Sequence, residues 1–264
     1  MPDQSASLRK SWAIQRRVIF ALLMREVLTR FGRHNIGFLW LFVEPMLFTL
    51  GVTALWTIAG ANHGSSLPIV AFALTGYSSV LLWRNMPGRL IGSILPNLSL
   101  MYHRNVKVID IFFSRLLLEA AGATISFVVL SIIFISIGWM KPPENFIQVI
   151  LAWIMLAWFG SSLAILLGAL SERFEIIEKF WHPSAYLLFP LSGAAFMVDA
   201  VPPFGQKIIL LLPMVHGVEM LREGYFGSSV RAHYDLGYMA LCCALLSLLG
   251  LAQTRIISRH VMPE

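Results

Sequence analysis

Residues 25–50 read REVLTRFGRHNIGFLWLFVEPMLFTL. The stretch opens on arginines and becomes an apolar run of the kind that crosses a membrane, except that Glu44 and Pro45 sit inside it. A carboxylate at that depth needs protein, water or a countercharge around it, because lipid gives it none. This segment therefore places the chain in a bilayer and implies that its helices are packed together there. The composition agrees. Only 13% of residues are charged and 57% are hydrophobic, where a soluble domain carries about 25% charged residues, and the mean hydropathy is +0.73. The fold class expected is an all-α membrane protein. Several runs approach the roughly 20 apolar residues needed to cross about 30 Å of hydrocarbon, and six transmembrane helices are expected, at about 36–60, 69–96, 111–138, 147–170, 182–198 and 236–257. The first 35 residues are polar and basic, so no cleavable leader is expected. Cys242 and Cys243 are adjacent in the last apolar run and read as two small apolar residues of a helix.

Lysine and arginine placement sets the orientation. Arg9, Lys10, Arg16, Arg17, Arg25, Arg30 and Arg33 precede the first span. Arg104 and Lys107, then Arg173 and Lys179, lie in connections on the same side, and Arg255 and Arg259 close the chain there. The opposite side has Lys141, Lys207, Arg222 and Arg231. The richer side is expected to be cytoplasmic, with both termini inside.

Upstream of the opening stretch, Ile14, Val18, Ala21, Leu22, Arg25, Leu28 and Thr29 recur at helical spacing, with Arg16, Arg17 and Arg30 turned away. Residues 1–35 are therefore read as a cytoplasmic amphipathic helix lying in the inner interface, its arginines near anionic headgroups. Downstream, the apolar run from Ile69 to Trp83 has 15 residues, about 22 Å of helix, which is too short to cross. The helix must continue through RNMPGRLIGSILP, carrying Arg84 into the hydrocarbon layer and Arg89 toward the cytoplasm. Both should face other helices or a wet pathway. Pro87 is expected to kink this helix, and Gly88 with Gly92 forms a G-x-x-x-G that permits close packing. On the outer side, Ile208 to Leu212 is far too short to span and Pro213 opens a second helix. The pair is read as two short re-entrant periplasmic helices between spans five and six, tolerated because protein or water covers them.

No G-x-x-x-x-G-K-[ST], H-E-x-x-H or G-x-S-x-G is present, so the chain is expected neither to cradle ATP phosphates nor to be an enzyme. The seven histidines show no metal-ligand spacing. Two cytoplasmic connections read as docking elements. One is YHRNVKVIDIFFSR, with Tyr102, His103, Arg104, Asn105 and Asp110; the other is SERFEIIEKFWHP, read as a short acidic helix presenting Glu172, Glu175 and Glu178. A solvated connection is the plainer reading of each. In HGVEMLRE, Glu219, Arg222 and Glu223 can pair on one helix face, either as a local ion pair or, with His216, as a periplasmic gate. Glu44 is read as a structural charge paired with an arginine, since an ionised Glu44 would repel an acidic polymer on a transport path.

The stretches REVLTRFGRHNIGFLWLFVEPM, LMYHRNVKVIDIFFSRLLLE, ERFEIIEKFWHPSAYLLFPLSGAAFMVDAVPP and LPMVHGVEMLREGYFG together resemble the permease subunit of capsular polysaccharide ABC exporters, the KpsM type within the ABC-2 class. The resemblance runs nearly end to end and makes residues 36–264 an ABC-2 type transmembrane domain. It implies a homodimer working with two copies of a cytoplasmic ABC ATPase that binds ATP and Mg, this chain holding no cofactor itself. It implies periplasmic adaptor and outer-membrane polysaccharide export proteins as further partners, a lipid-linked acidic polysaccharide as substrate, the bacterial inner membrane as location, and no nucleic acid. The two cytoplasmic loops become coupling elements. Arg84 and Arg89 suit an anionic sugar chain, with Tyr77, Trp83, Trp40 and Phe38 as flat faces for sugar rings or, individually, as ordinary packing and interface aromatics. A permease for O-antigen, teichoic acid or another lipid-linked glycan is the alternative within the class. A membrane glycan-modifying enzyme would need clustered catalytic side chains, and a secondary transporter would need inverted repeats; neither is visible.

Overall fold

The computed structural model describes residues 8–31, 35–58, 67–102 and 106–261, and these form helices and turns with no strand among them. In chain order the helices are α1 (Leu8–Phe31), α2 (Asn35–Ile58), α3 (Ile69–Leu90), α4 (Leu98–Met101), α5 (Val108–Ser136), α6 (Phe146–Ser171), α7 (Ile176–Leu191), α8 (Pro203–Ile209), α9 (Pro213–Phe226) and α10 (Leu236–Val261). Three of them, α5, α6 and α10, are each long and apolar enough to cross a membrane. The pair α8–α9 passes the same test jointly but is bent by 109°.

The core is built on α3 and α6. Every residue of α3 from Ala71 to Trp83 is buried, and the helix packs against α2, α5, α6, α7 and α9. Its polar residues do not break that burial, because they bond within their own helix: Thr75 donates to the Ala71 carbonyl (2.8 Å) and Ser79 to that of Gly76 (2.6 Å). Helix α6 faces α3, α9 and α10. Where helices cannot be driven together by water, close backbone approach supplies the contact. At Gly160 a methyl group would lie 2.7 Å from Trp83 Cα, and at Gly168 2.8 Å from Leu90 Cβ. These glycines on α6, with Gly217 of α9 against Leu156, make the tight crossings.

The G-x-x-x-G expected in the second span does not act as one. Helix α3 runs through Pro87 but ends at Leu90 rather than near 96, and Gly92 turns the chain at φ +63° with nothing within 4 Å of a methyl group there. Gly88 meets only the Trp181 ring, at 3.5 Å. The stretch expected as the fifth span is helical from Ile176 only to Leu191, after which Ser192 and Gly193 (φ +79°) turn the chain into a buried loop. At 16 residues α7 measures about 24 Å.

Helix α1 differs in detail from its expected stripe. Leu22 and Val27 are its buried residues, facing α5, whereas Ile14 and Leu28 are exposed along with Trp12, Phe20 and Met24. The helix thus buries apolar side chains against the protein and leaves others outside, with Arg16 and Arg17 also exposed.

Candidate functional site: an arginine cavity, its supports and a lock on α9

A cavity of about 220 Å³ opens between α2, α3 and α7, walled by Glu44, Arg84, Asn85, Arg89, Trp181 and Tyr186. The Arg84 guanidinium stands over the Tyr186 ring at 5.0 Å and the Phe189 ring at 5.7 Å. Rings there favour a cation without neutralising it. Glu44 is exposed on the same wall, and among the described residues no ion pair joins it to Arg84 or Arg89. The cavity thus brings together three charges that lie 40 residues or more apart along the sequence in the case of Glu44, and leaves Arg84 half-buried beside aromatic faces.

The aromatic residues divide. Tyr77 is buried among Trp56, Phe48 and Phe189, with the Trp56 and Phe189 ring centres each 5.1 Å away. Trp83 is fully buried edge-on to Phe159 at 5.8 Å, in the α3–α6 contact rather than on the cavity wall. Trp40 is exposed on α2; Phe38 lies outside the described side chains. The rings that meet Arg84 come from α7. Trp181, Ala185 and Phe189 recur at i, i+4 and i+8 with Tyr186 beside them, a helical spacing that sequence reading passed over.

Arg89 is held from behind. Its Nε pairs with Glu119 of α5 at 3.1 Å. Arg115, one turn earlier on α5, donates to the Arg89 carbonyl (2.7 Å) and pairs through Nε with Glu26 of α1 at 3.2 Å. A chain of charges therefore runs from α1 through α5 to the cavity end of α3. None of Glu26, Arg115 and Glu119 was singled out from sequence, because nothing in their local patterns shows that they converge.

On the opposite side, α9 is locked in place. Arg222 is fully buried, its guanidinium 3.7 Å from the Phe72 ring centre. It donates to the carbonyls of Gly193, Ala194 and Phe196 in the loop after α7. Glu219 accepts from the backbone N–H groups of Val198 (3.1 Å) and His233 (3.0 Å). So Arg222 and Glu219 serve two backbone segments instead of pairing with each other. A methyl group at Gly76 would strike the Ala194 carbonyl and the Arg222 guanidinium; only glycine lets the loop reach α3. His216 receives the Asp235 N–H on Nδ1 (2.8 Å), so its proton is on Nε2 and is donated to the Leu210 carbonyl (2.8 Å). Glu223 accepts from Tyr234 (2.6 Å) and from Gln148 of α6. Burial and the Glu223 carboxylate push the Tyr234 phenol up to about 12.

At the other end, Tyr102 is exposed, and His103, Arg104 and Asn105 lie outside the described residues. Asp110 is buried in the first turn of α5, accepting from the Lys107 N–H (2.9 Å) and from Gln15 of α1. Residues 171–183 are not one acidic helix. Glu172 closes α6, half-buried, and burial holds its carboxyl above the usual carboxylate range. Glu175 precedes α7 and Glu178 lies in its first turn; both are exposed beside Phe174, Ile176 and Phe180.

The sequence pattern of the family described as ABC-2 type transporter matches residues 17–226. The capsule polysaccharide export inner-membrane protein CtrC of Neisseria meningitidis serogroup B is 46% identical over 98% of this chain and 97% of its own length. The capsule polysaccharide export inner-membrane protein BexB of Haemophilus influenzae is 43% identical over 99% of this chain and 98% of its own. The polysialic acid transport protein KpsM of Escherichia coli is 28% identical over 94% of this chain and 96% of its own.

Proposed function

We propose, from the premise that the chain belongs to the ABC-2 type transporter family, that it is the membrane permease subunit of an ATP-driven exporter moving lipid-linked acidic capsular polysaccharide from cytoplasm to periplasm. The observation that carries this is the near-full-length identity to capsule polysaccharide export inner-membrane proteins. In this reading the chain sits in the inner membrane with both termini in the cytoplasm. Helices α2, α3, α5, α6, α7 and α10 are its six spans, α1 lies in the inner interface, and α8–α9 dip into the outer leaflet and return.

The arrangement of charge supports such a task. A polyanion needs cations that protein has not already neutralised, and Arg84 has aromatic neighbours without a described carboxylate partner. A second copy of the chain would double those arginines along a shared path. The exposed Tyr102, Glu175 and Glu178 offer the cytoplasmic side to two copies of an ABC ATPase, which would bind ATP and Mg. The chain of charges from Glu26 through Arg115 to Arg89 would carry their movement to the cavity. Periplasmic adaptor and outer-membrane export proteins would receive the polymer beyond the α8–α9 pair.

Deleting the gene in its host and following the polymer tests this. Surface capsule should vanish while acidic polysaccharide accumulates in the cytoplasm, and the wild-type chain should restore export. Undiminished surface capsule in the deletion strain would end the proposal. A tagged copy purified in mild detergent should bring with it one ATPase chain per permease, with hydrolysis stimulated by the polymer.

A further inference from the structure

A second cavity, of about 450 Å³, lies away from the arginine site, in the cleft between the start of α5 and the end of α10. Lys107 directly precedes α5 and Ile109 lies in its first turn; Leu251, Arg255, Ser258 and Arg259 come from α10. Positions 251, 255, 258 and 259 stand at i, i+4, i+7 and i+8, so α10 presents them as one stripe. Lys107, Arg255 and Arg259 are all exposed, and among the described residues none of them forms an ion pair. The nearby carboxylate is that of Asp110, which is buried and already occupied by the Lys107 N–H and Gln15. Three cations therefore face the cleft against one carboxylate that is already bonded.

The depth of the cleft decides what it can hold. Arg255 is 19 residues beyond Leu236 in a continuous helix, about 29 Å along its axis. The hydrocarbon layer is about 30 Å thick, so Arg255 and Arg259 stand at headgroup level, one turn apart. Below them the same side of α10 continues as Leu251, Leu248, Leu245 and Leu241, all exposed. Cations at the headgroup level above an exposed leucine ridge match a molecule with an anionic head and an acyl tail. A free anion would use only the upper half of this surface, and a neutral lipid only the lower half.

We infer that this cleft binds an anionic phospholipid of the inner leaflet, its phosphate held by Lys107, Arg255 and Arg259 and an acyl chain laid along the α10 leucine ridge. Charge-assisted bonds from two arginines give the head its hold, and basic pockets between membrane helices on the cytoplasmic side are suited to such heads. The leaflet follows from the orientation proposed above. The site joins the start of α5 to the end of the last helix, so a bound lipid would tie α5 to α10.

The test is native mass spectrometry of the full-length protein, purified in detergent and supplied with equal amounts of phosphatidylglycerol and phosphatidylcholine. The wild type should retain phosphatidylglycerol preferentially. The double substitution R255Q/R259Q should lower that retention at least tenfold, whereas K141Q/R231Q, two exposed cations assigned to the opposite side, should not. Unchanged thermal melting of both double variants rules out misfolding as the cause. Equal retention of the two lipids by the wild type overturns the site. So does retention by R255Q/R259Q at the wild-type level, competition by inorganic phosphate as effective as that by lipid, or displacement of the lipid by added partner ATPase, which would make the cleft a protein interface. None of these readouts depends on transport, so they stand apart from the capsule-export test. A reporter fused after the last residue fixes the leaflet separately.

Discussion

Arg222 and Arg84 make an instructive pair. Each lies against aromatic rings between helices, Arg222 at 3.7 Å from Phe72 and Arg84 at 5.0 Å from Tyr186. Arg222 spends its donors on three carbonyls of one loop and is fully buried. Arg84 has rings but no described acceptor and faces a cavity. The same residue type is thus a strut at one end of the protein and, at the other, a charge with no acceptor among the described residues. What separates them is whether the surrounding backbone has been turned toward the guanidinium. Gly193, at φ +79°, begins the turn that does so for Arg222; α7 offers Arg84 rings, and among the described residues no bond joins Arg84 to an α7 carbonyl.

Substitutions can break or sharpen this contrast. The largest effect is expected for Arg222→Met, which strands three loop carbonyls, two of them buried. Hydrogen bonds to a charged group contribute about 1.5–3 kcal/mol each, so the melting temperature in detergent should fall sharply and expression with it. Arg222→Met with wild-type melting would show that the loop is not held from α9. Gly76→Ala should follow, at about 1–3 kcal/mol, the range for forcing extra atoms into a packed core; its added methyl group meets the Ala194 carbonyl. Arg84→Gln removes the described ring contacts, about 0.5–1 kcal/mol. It should leave melting nearly unchanged while reducing surface capsule at least tenfold. If Arg84→Gln instead melts like Arg222→Met, the two arginines are of one kind and Arg84 leaves the path. Smallest of all, E175Q/E178Q should not alter melting, because both carboxylates are exposed; it should weaken ATPase recovery on purification.

Much of the architecture was legible, and for a plain reason. The apolar runs in α5, α6 and α10 are long enough to read by composition alone. The break between α8 and α9 was marked by Pro213 and by the shortness of Ile208 to Leu212. Other features depended on tertiary partners. Helix α3 stops before Gly92 because the chain turns there toward Ser171, whose hydroxyl receives the Gly92 N–H at 3.3 Å. Spacing put Arg222 within reach of Glu219, but the groups it bonds are backbone carbonyls of residues 193–196, and carbonyls leave no letter in a sequence. Trp83 was read as a platform from its place beside Arg84, yet the next residue on a helix points about 100° away, into α6. The stretches SGAAFMVD and HGVEMLREGYFG were each visible as motifs; that one supplies the acceptors for the other's arginine became visible only in three dimensions.

The burial of α3 has a consequence for the host membrane. Lipid presses on helices in proportion to the surface they show it, and the share buried within the protein is 17% for the apolar window of α10, 39% for α5 and 50% for α6, so of these three α10 meets the bilayer most. From Ala71 to Trp83, α3 shows lipid almost nothing. A thicker or thinner bilayer changes tilt at a cost of fractions of a kcal/mol per Å of mismatch, and that strain would fall on α10 before α5 or α6. The helix bearing Arg84 is insulated from it, keeping its height relative to its protein neighbours when the composition of the surrounding membrane changes.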